Sequence, residues 1–455
     1  MDGLLEASNN GERKWMYPLV RKGNYYKWRS WLSYVYLILF FIVPFIKING
    51  QPLLLLNVIE RHFVILGQVF WPQDIYLFML ASLIFIVCVV LFTIAFGRIF
   101  CGWICPQTIF MEMVFRKIEI WVEGDGNKQK KLNATDWDKE KIRKKIIKHA
   151  LFIFVSFLIA NTFLAYIIGS QSLIKIIVEP LSLHWIGFSS IWVFTIVFYL
   201  VYSQVRELVC TVICPYGRLQ GVLMDEHTIV VAYDDVRGEP RGKLDKTGLA
   251  LKGDCVDCNL CVAVCPTGID IRNGTQMECV NCTACIDACD EVMDKIHKPR
   301  NLIGYFSEDM IRSKKKPSFT GRMMGYSGVI IVLMTALCYF VFSRGDMDIT
   351  VMRGSGMLYQ EQPGGYISNI YNADITNKAN VSRSIILKPE DPDIKIKYIQ
   401  APGLISKGND IKVVFFVLIP LKKIHSFKTD VRLQLISGNK VIHTITTEFV
   451  APFNN

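Results

Sequence analysis

Eight cysteines between Cys255 and Cys289 fall into two runs. The first is Cys255-x-x-Cys258-x-x-Cys261-x-x-x-Cys265-Pro266, and the second is Cys279-x-x-Cys282-x-x-Cys285-x-x-x-Cys289. Two-residue gaps let a tight turn aim successive thiolates at neighbouring corners of one iron–sulfur cube. The duplicated spacing is that of two [4Fe-4S] clusters in which the fourth cysteine of each run serves the other cluster. One cluster then takes Cys255, Cys258, Cys261 and Cys289; the other takes Cys279, Cys282, Cys285 and Cys265. Zinc sites need only paired C-x-x-C knuckles, so zinc and disulfide readings leave the repeated third and fourth cysteines without a purpose. Asp290 stands where the first run has Pro266, a departure that leaves the ligand set intact.

Four more cysteines form two matching pairs, Cys101-Gly102-Trp103-Ile104-Cys105-Pro106 and Cys210-Thr211-Val212-Ile213-Cys214-Pro215. If each pair lies on a continuing helix, i,i+4 spacing puts both sulfurs on one face, and proline closes the helix just beyond. Soft thiolates suit Cu(I), zinc or an iron–sulfur centre. Single buried cysteines act as small apolar residues, but a repeated C-x-x-x-C-P beside cluster motifs argues for a metal or relay site. Cys88 and Cys338 stand alone in apolar segments and read as packing residues. Haem b needs two facing imidazoles, which the scattered histidines do not offer. Met347, Met352 and Met357 could bind copper, although a strand or loop role accounts for them. No glycine-rich phosphate loop follows a strand, which argues against flavin and nicotinamide.

The elements that position these thiols are mostly membranous. The chain has 455 residues, 51% hydrophobic and 20% charged, with a mean hydropathy of +0.31. Five segments reach the roughly 17–25 residues needed to cross a bilayer: Trp31–Ile48, Ile75–Phe96, Ala150–Ile168, Ile186–Tyr202 and Tyr326–Phe342. Arg13, Lys14, Arg21, Lys22, Lys27 and Arg29 crowd the N-terminal tail. Lys128, Lys130, Lys131, Lys144 and Lys145 fill one loop, and Lys314 to Lys316 with Arg322 precede the fifth segment. The alternate loops hold only Lys47, Arg61 and Lys175. The positive-inside bias therefore puts the N-terminus and the cysteine runs in the cytoplasm of a multi-pass membrane protein, with the C-terminal region outside. The net charge of +11 reads as topology and contact with anionic lipid; no nucleic-acid motif accompanies it.

The organisation expected is a membrane domain over 1–223 and a cytoplasmic region over 224–325 with a ferredoxin-like two-cluster unit near 250–300. A fifth spanning helix over 326–342 and an external domain over 343–455 follow. The loop from Pro52 to Pro72 reads as external and membrane-hugging, and Asp136 as the cap of the helix entering the third span. Ile349–Arg353, Tyr366–Tyr371, Arg383–Lys388, Ile394–Ile399, Asp410–Ile419, Asp430–Ile436 and Lys440–Phe449 are strand-like runs between turn residues. They predict an antiparallel sandwich of immunoglobulin-like kind, without the Cys–Trp–Cys signature of antibody domains.

With these motifs assembled, the chain resembles the FixG/CcoG (RdxA) accessory proteins of high-affinity haem–copper cytochrome c oxidases. The resemblance is carried by Glu60-Arg61-His62-Phe63 through Phe70-Trp71-Pro72-Gln73-Asp74 and by Gly97-Arg98 through Cys105-Pro106-Gln107-Thr108. It continues in Cys210 through Cys214-Pro215-Tyr216-Gly217-Arg218, in Tyr233-Asp234 with Arg237-Gly238-Glu239-Pro240-Arg241-Gly242, and in Asp287-Ala288-Cys289-Asp290-Glu291-Val292-Met293-Asp294. It implies a cupric reductase of the bacterial cytoplasmic (inner) membrane that serves oxidase assembly. The eight cysteines would relay electrons from a cytoplasmic donor, Cys101, Cys105, Cys210 and Cys214 would be a copper or terminal relay site, and oxidase subunits or assembly factors would be partners. A quinol dehydrogenase subunit shares the C-x-x-x-C-P pairs, and a scaffold or copper chaperone is the third alternative.

Overall fold

The computed structural model describes residues 15–452 apart from 21, 49, 59–61, 71–73, 181, 244–251, 315–316, 318, 344, 346, 355–357, 379–380, 400, 407, 425 and 439. Arg13, Lys14, Arg21, Glu60, Arg61, Trp71, Pro72, Gln73, Lys315, Lys316 and Met357, singled out in the sequence, lie outside the described residues. The chain divides into two units, one of Met1–Ile46 with Phe78–Leu337 and one of Lys47–Leu77 with Cys338–Asn455.

Among the described residues five helices are long and apolar enough to cross a membrane: Asn24–Phe45, Ile75–Phe96, Lys139–Ile168, Trp185–Val205 and Gly321–Phe342. Their apolar side chains face outward, as with Phe85 at 65% and Val332 at 68% exposure, because lipid rather than protein is their solvent. Cys88 and Cys338 are exposed on these helices, not packed in a protein interior as their apolar setting suggested. The third spanning helix is capped by Asp138, whose carboxylate accepts from the Lys141 amide at 2.7 Å. Asp136 is two residues too early, since the cap must be the last extended residue before the helix.

Within the first unit the helices meet around Phe110, Phe115, Phe152, Ile159 and Tyr202. Phe115 stacks on Tyr202 at 4.4 Å between ring centroids and meets Phe152 edge-on at 4.9 Å. Beside this aromatic core lies a buried ion network. Arg206 donates to both oxygens of Glu119 at 3.1 and 2.7 Å, and Lys148 and Lys145 reach Glu123 at 3.0 and 2.9 Å. Arg116 joins Glu112 at 3.0 Å to Glu207 at 2.6 Å. Lys145, which reads in the sequence as a free topology charge, is thus internally neutralised.

The cysteine runs belong to the same unit. Strand Val230–Tyr233 pairs antiparallel with Ile303–Phe306, and Ile269, Ile271, Ile286, Met293, Leu302 and Ile303 fill the core between them and the cysteines.

The second unit is an antiparallel sandwich. One sheet runs in the order Lys395–Tyr398, Asp410–Pro420, Tyr366–Asn377, Met347–Arg353, with Gln360–Gln362 also paired to Tyr366–Asn377. The other runs Ile386–Pro389, Lys428–Ser437, Lys440–Val450. Period-two alternation buries Val413, Phe415, Val417 and Ile419 from one sheet against Val431, Leu433 and Leu435 from the other. The stretch expected as a loop forms a three-stranded ribbon, Leu54–Asn57, His62–Ile65 and Gln68–Phe70. It buries Leu55, Val64 and Val69, and the chain beyond it is tied down by Asp74, which holds Lys378 at 2.5 Å. Strands this short carry too little alternation to be distinguished from a loop.

Glu119→Gln takes the carboxylate from the two-oxygen Arg206 pair and from the longer 3.7 Å contact with Lys148, which keeps Glu123. Breaking a buried pair costs about 3–5 kcal/mol. The expected outcome is a clear fall in the unfolding temperature of the detergent-solubilised protein, checked by scanning fluorimetry or calorimetry.

Candidate functional site

The chain gathers the eight cysteines around two adjacent cavities. Cys255, Cys258, Cys261 and Cys289 line one, with Tyr233, Val292, Met293 and Leu302. Cys265, Cys279, Cys282 and Cys285 line the other, with Val231, Ile269 and Ile271, and Cys261 borders both. Each fourth cysteine therefore faces the cavity of the other run. Helix Ala284–Lys295 carries Cys285 and Cys289 one turn apart, so the cavities lie side by side along it.

The backbone reaches this arrangement through residues in the left-handed region on both sides of each run's second cysteine. Asp257 (φ 52°) and Asn259 (φ 57°) flank Cys258, and Asn281 (φ 52°) and Thr283 (φ 65°) flank Cys282. Asp and Asn tolerate this conformation, whereas branched Thr283 is held there at some strain. The two asparagines were the available sequence signal for these turns; Thr283 gave none.

Burial raises the thiols above the usual range: Cys261 to about 11, Cys279 to about 12 and Cys289 to about 12. Cys285 is pushed well up, again first by burial and then by Cys282 and Cys279. Such thiols lose their protons only when a cation offsets the charge, which is what iron does on binding. A soft four-thiol set with an apolar lining fits a thiolate-held iron–sulfur cluster. Among the described residues no three His, Cys, Asp or Glu side chains are grouped so as to hold a single metal ion. Cys258 is exposed, while Cys255 and Cys261 are buried and the other five are half-buried.

The C-x-x-x-C-P cysteines are also brought together, but not on a continuing helix. Gly97, at φ 55°, ends the second spanning helix, and a short helix Ile99–Trp103 holds Cys101. Cys105 is the extended cap residue before Pro106, which opens a new helix. In the other copy Arg206 turns the chain at φ 53°, a wide helical turn Val209–Ile213 holds Cys210, and Cys214 precedes helix Pro215–Leu223. Proline thus starts helices here instead of closing them, because its missing N–H costs nothing at the first helical position. The thiols fall within one another's electrostatic reach. Cys101 is raised to about 11 by burial and then by Cys105, with Cys214 adding to it. Cys210 is raised to about 12 by burial and then by Cys105 and Cys101.

The two thiol sets are neighbours through one tight contact. A side chain at Gly102 would place its first carbon 2.4 Å from the Val280 carbonyl oxygen and 2.9 Å from that of Asn281. Gly102 lies inside the first C-x-x-x-C-P motif, and Val280 and Asn281 lie between Cys279 and Cys282. Arg29 Nε donates to the Gly102 carbonyl at 2.8 Å, and Arg98 donates to the Met277 carbonyl. The Asp287 carboxylate accepts from the amides of Tyr25 at 3.1 Å and Tyr26 at 2.8 Å, which caps the first spanning helix. Sequence reasoning gave Arg98, Gly102 and Asp287 no individual role. It placed Arg29 among the tail cations, yet that residue is 6% exposed.

Comparison with known proteins agrees with this geometry. Residues 205–308 match the family model of a 4Fe-4S dicluster domain, and residues 337–452 that of the IG-like fold at the C-terminal of FixG. Protein RdxB of Cereibacter sphaeroides is 35% identical over 83% of this chain and 82% of its own length. The chain belongs to the FixG/RdxA family. Protein RdxA of the same organism is 34% identical, covering 78% of each chain. The nitrogen fixation protein FixG of Rhizobium meliloti is 30% identical over 83% of this chain and 80% of its own. Residues 78–124 and 183–226 match a further model, a 4Fe-4S binding domain, and these spans contain both C-x-x-x-C-P pairs. This FixG/RdxA member is thus a multi-pass membrane protein of the 4Fe-4S electron-transfer type with an immunoglobulin-like C-terminal domain.

Gly102→Val forces a branched side chain against backbone oxygens that cannot rotate away. Overpacking of this kind costs about 1–3 kcal/mol. The variant is expected to loosen the dicluster region from the membrane helix ends, seen as faster protease cleavage around residues 224–325 with the helices still inserted.

Proposed function

We propose that this chain is a membrane cupric reductase that serves assembly of a high-affinity haem–copper cytochrome c oxidase. In this reading Cys255, Cys258, Cys261 and Cys289 hold one [4Fe-4S] cluster, and Cys265, Cys279, Cys282 and Cys285 the other. When bound, such clusters pass single electrons, which matches the one-electron step from Cu(II) to Cu(I). The exposed side of Cys258 is the entry face for a reduced donor, which loses one electron for each copper ion reduced. Cys101, Cys105, Cys210 and Cys214 form the terminal site from which Cu(II) takes that electron.

The observation that carries this reading is the packing of Gly102 on the backbone of Val280 and Asn281. It leaves a short protein path between the second cysteine cavity and the membrane-edge thiols. The ends of that path are fixed by Arg98 and Asp287, which hold the dicluster region against the helix termini, and by Arg29, which ties the Gly102 carbonyl to the first spanning helix. The lysine and arginine bias supports a cytoplasmic position for the relay and an external one for the sandwich, so the electron need not cross the bilayer. The sandwich offers a binding surface for the assembling oxidase.

The test uses the full chain in detergent, its clusters reconstituted with iron and sulfide and reduced by dithionite before Cu(II) is added with a Cu(I)-specific chelator. After excess dithionite is removed, wild type is expected to form the coloured Cu(I) complex. Cys101→Ser plus Cys210→Ser should lose most of that rate while keeping the iron of the dicluster region. Cys255→Ala plus Cys279→Ala should lose both iron and rate. Copper reduction that is unchanged in these variants would sink the relay.

A further inference from the structure

Two buried arginines lie where the cysteine cavities meet the membrane-edge thiols. Arg29 and Arg98 are 6% and 4% exposed. Arg98 bonds across the seam, and Arg29 borders it. Arg29 donates to the Gly102 carbonyl at 2.8 Å, and its charge also acts on Cys282. Arg98 donates to the carbonyl of Met277, and its charge acts on both Cys279 and Cys101. The Nη2 of Arg29 and the Nε of Arg98 are buried without a hydrogen-bond partner. Among the described residues neither guanidinium makes an ion pair with a carboxylate.

The other cavity is charged differently. Its nearby cation, Arg272, is tied by Asp257 at 2.6 Å and by Asp270 at 2.7 Å. Asp290 adds negative charge beside Cys289. One cavity therefore faces two buried cations that no carboxylate bonds among the described residues, with the Glu112 charge also felt at Cys282, and the other a cation already paired twice.

A buried cation without a counter-ion is strongly disfavoured. Four thiolates bound to iron carry net negative charge, and that charge grows by one on reduction. A buried cation whose field reaches the ligands, in a poorly polarisable setting, favours the more negative state. We propose that Arg29 and Arg98 raise the reduction potential of the centre held by Cys265, Cys279, Cys282 and Cys285 above that of the centre held by Cys255, Cys258, Cys261 and Cys289. The second centre is thereby the exit and the first the entry, so the electron runs downhill toward Gly102 and the membrane-edge thiols. The two arginines are positioning residues; they touch the frame around the centres and set its charge. The proposal rests on the ligand sets given under the proposed function.

The experiment is a redox titration of the full protein in detergent, its clusters reconstituted with iron and sulfide, followed by electron paramagnetic resonance. Wild type should show two centres of distinct potential, with the higher one altered by Cys279→Ser and the lower one by Cys258→Ser. Absence of two iron–sulfur signals in wild type would defeat the ligand sets themselves, separately from the role of the arginines. In Arg98→Gln the reduced-to-oxidised ratio of the Cys279-dependent centre should fall about tenfold at fixed potential, or about 59 mV for one electron. The Cys258-dependent centre should stay in place, and Arg98→Lys should restore most of the difference. Arg29→Gln should act in the same direction. Equal movement of both centres, or none, overturns the proposal. If the glutamine variants lose their iron, the wild-type order alone decides: a higher potential at the Cys258-dependent centre overturns it.

Discussion

The approach of the Gly102 backbone to the Val280–Asn281 turn is the constraint on which the rest of the first unit depends. Van der Waals contact between two main chains admits no side chain at that point, so a glycine between two cysteines is a packing requirement as well as a spacer. The contact also explains the local breaks around it. Gly97 in the left-handed region ends the second spanning helix, and Arg206 in the same region turns the chain after the fourth. Both turns bring a C-x-x-x-C-P segment off its spanning helix and toward the cysteine cavities.

Around this seam the polar groups are arranged for position more than for bulk stability. Asp287 stands between Cys285 and Cys289 in sequence and spends its carboxylate on the amides of Tyr25 and Tyr26. One residue therefore registers the helix that carries two cavity cysteines against the first membrane helix. The Glu119, Glu123, Arg206 and Lys148 network does the same for the segment leading to Cys210. Buried ion pairs add little net stability compared with apolar packing, but breaking one leaves a stranded charge. Their effect here is to allow one arrangement of the helix ends.

What could be read from the sequence follows the same division. Thiolate spacing is set by cluster chemistry rather than by packing, so the grouping of Cys255 to Cys289 was legible before any fold was known. Spanning helices were legible because hydrocarbon demands long apolar runs, and the sandwich because its long strands alternate cleanly. The details that failed were all decided by tertiary contact. The pairing of Leu54–Asn57 with His62–Ile65 depends on cross-strand partners, and the choice of Asp138 over Asp136 depends on where the chain stops being extended. The C-x-x-x-C-P pairs look helical in the sequence because four-residue spacing is ambiguous; only the turn at Gly97 and the caps at Cys105 and Cys214 reveal how the chain carries them. Arg29 was the hardest to read, since a cation at the start of a membrane helix has the same letter whether it meets lipid headgroups or a buried carbonyl.

The cap on the first spanning helix also sets an order of events in synthesis. The amides of Tyr25 and Tyr26 are made first, and the carboxylate that satisfies them is separated from them by 262 and 261 residues. Until that carboxylate arrives, the end of the helix has only water for a partner. The earliest membrane segment is therefore finished by one of the later parts of the chain, and a nascent protein whose cysteine region fails to fold carries that failure back to its first helix.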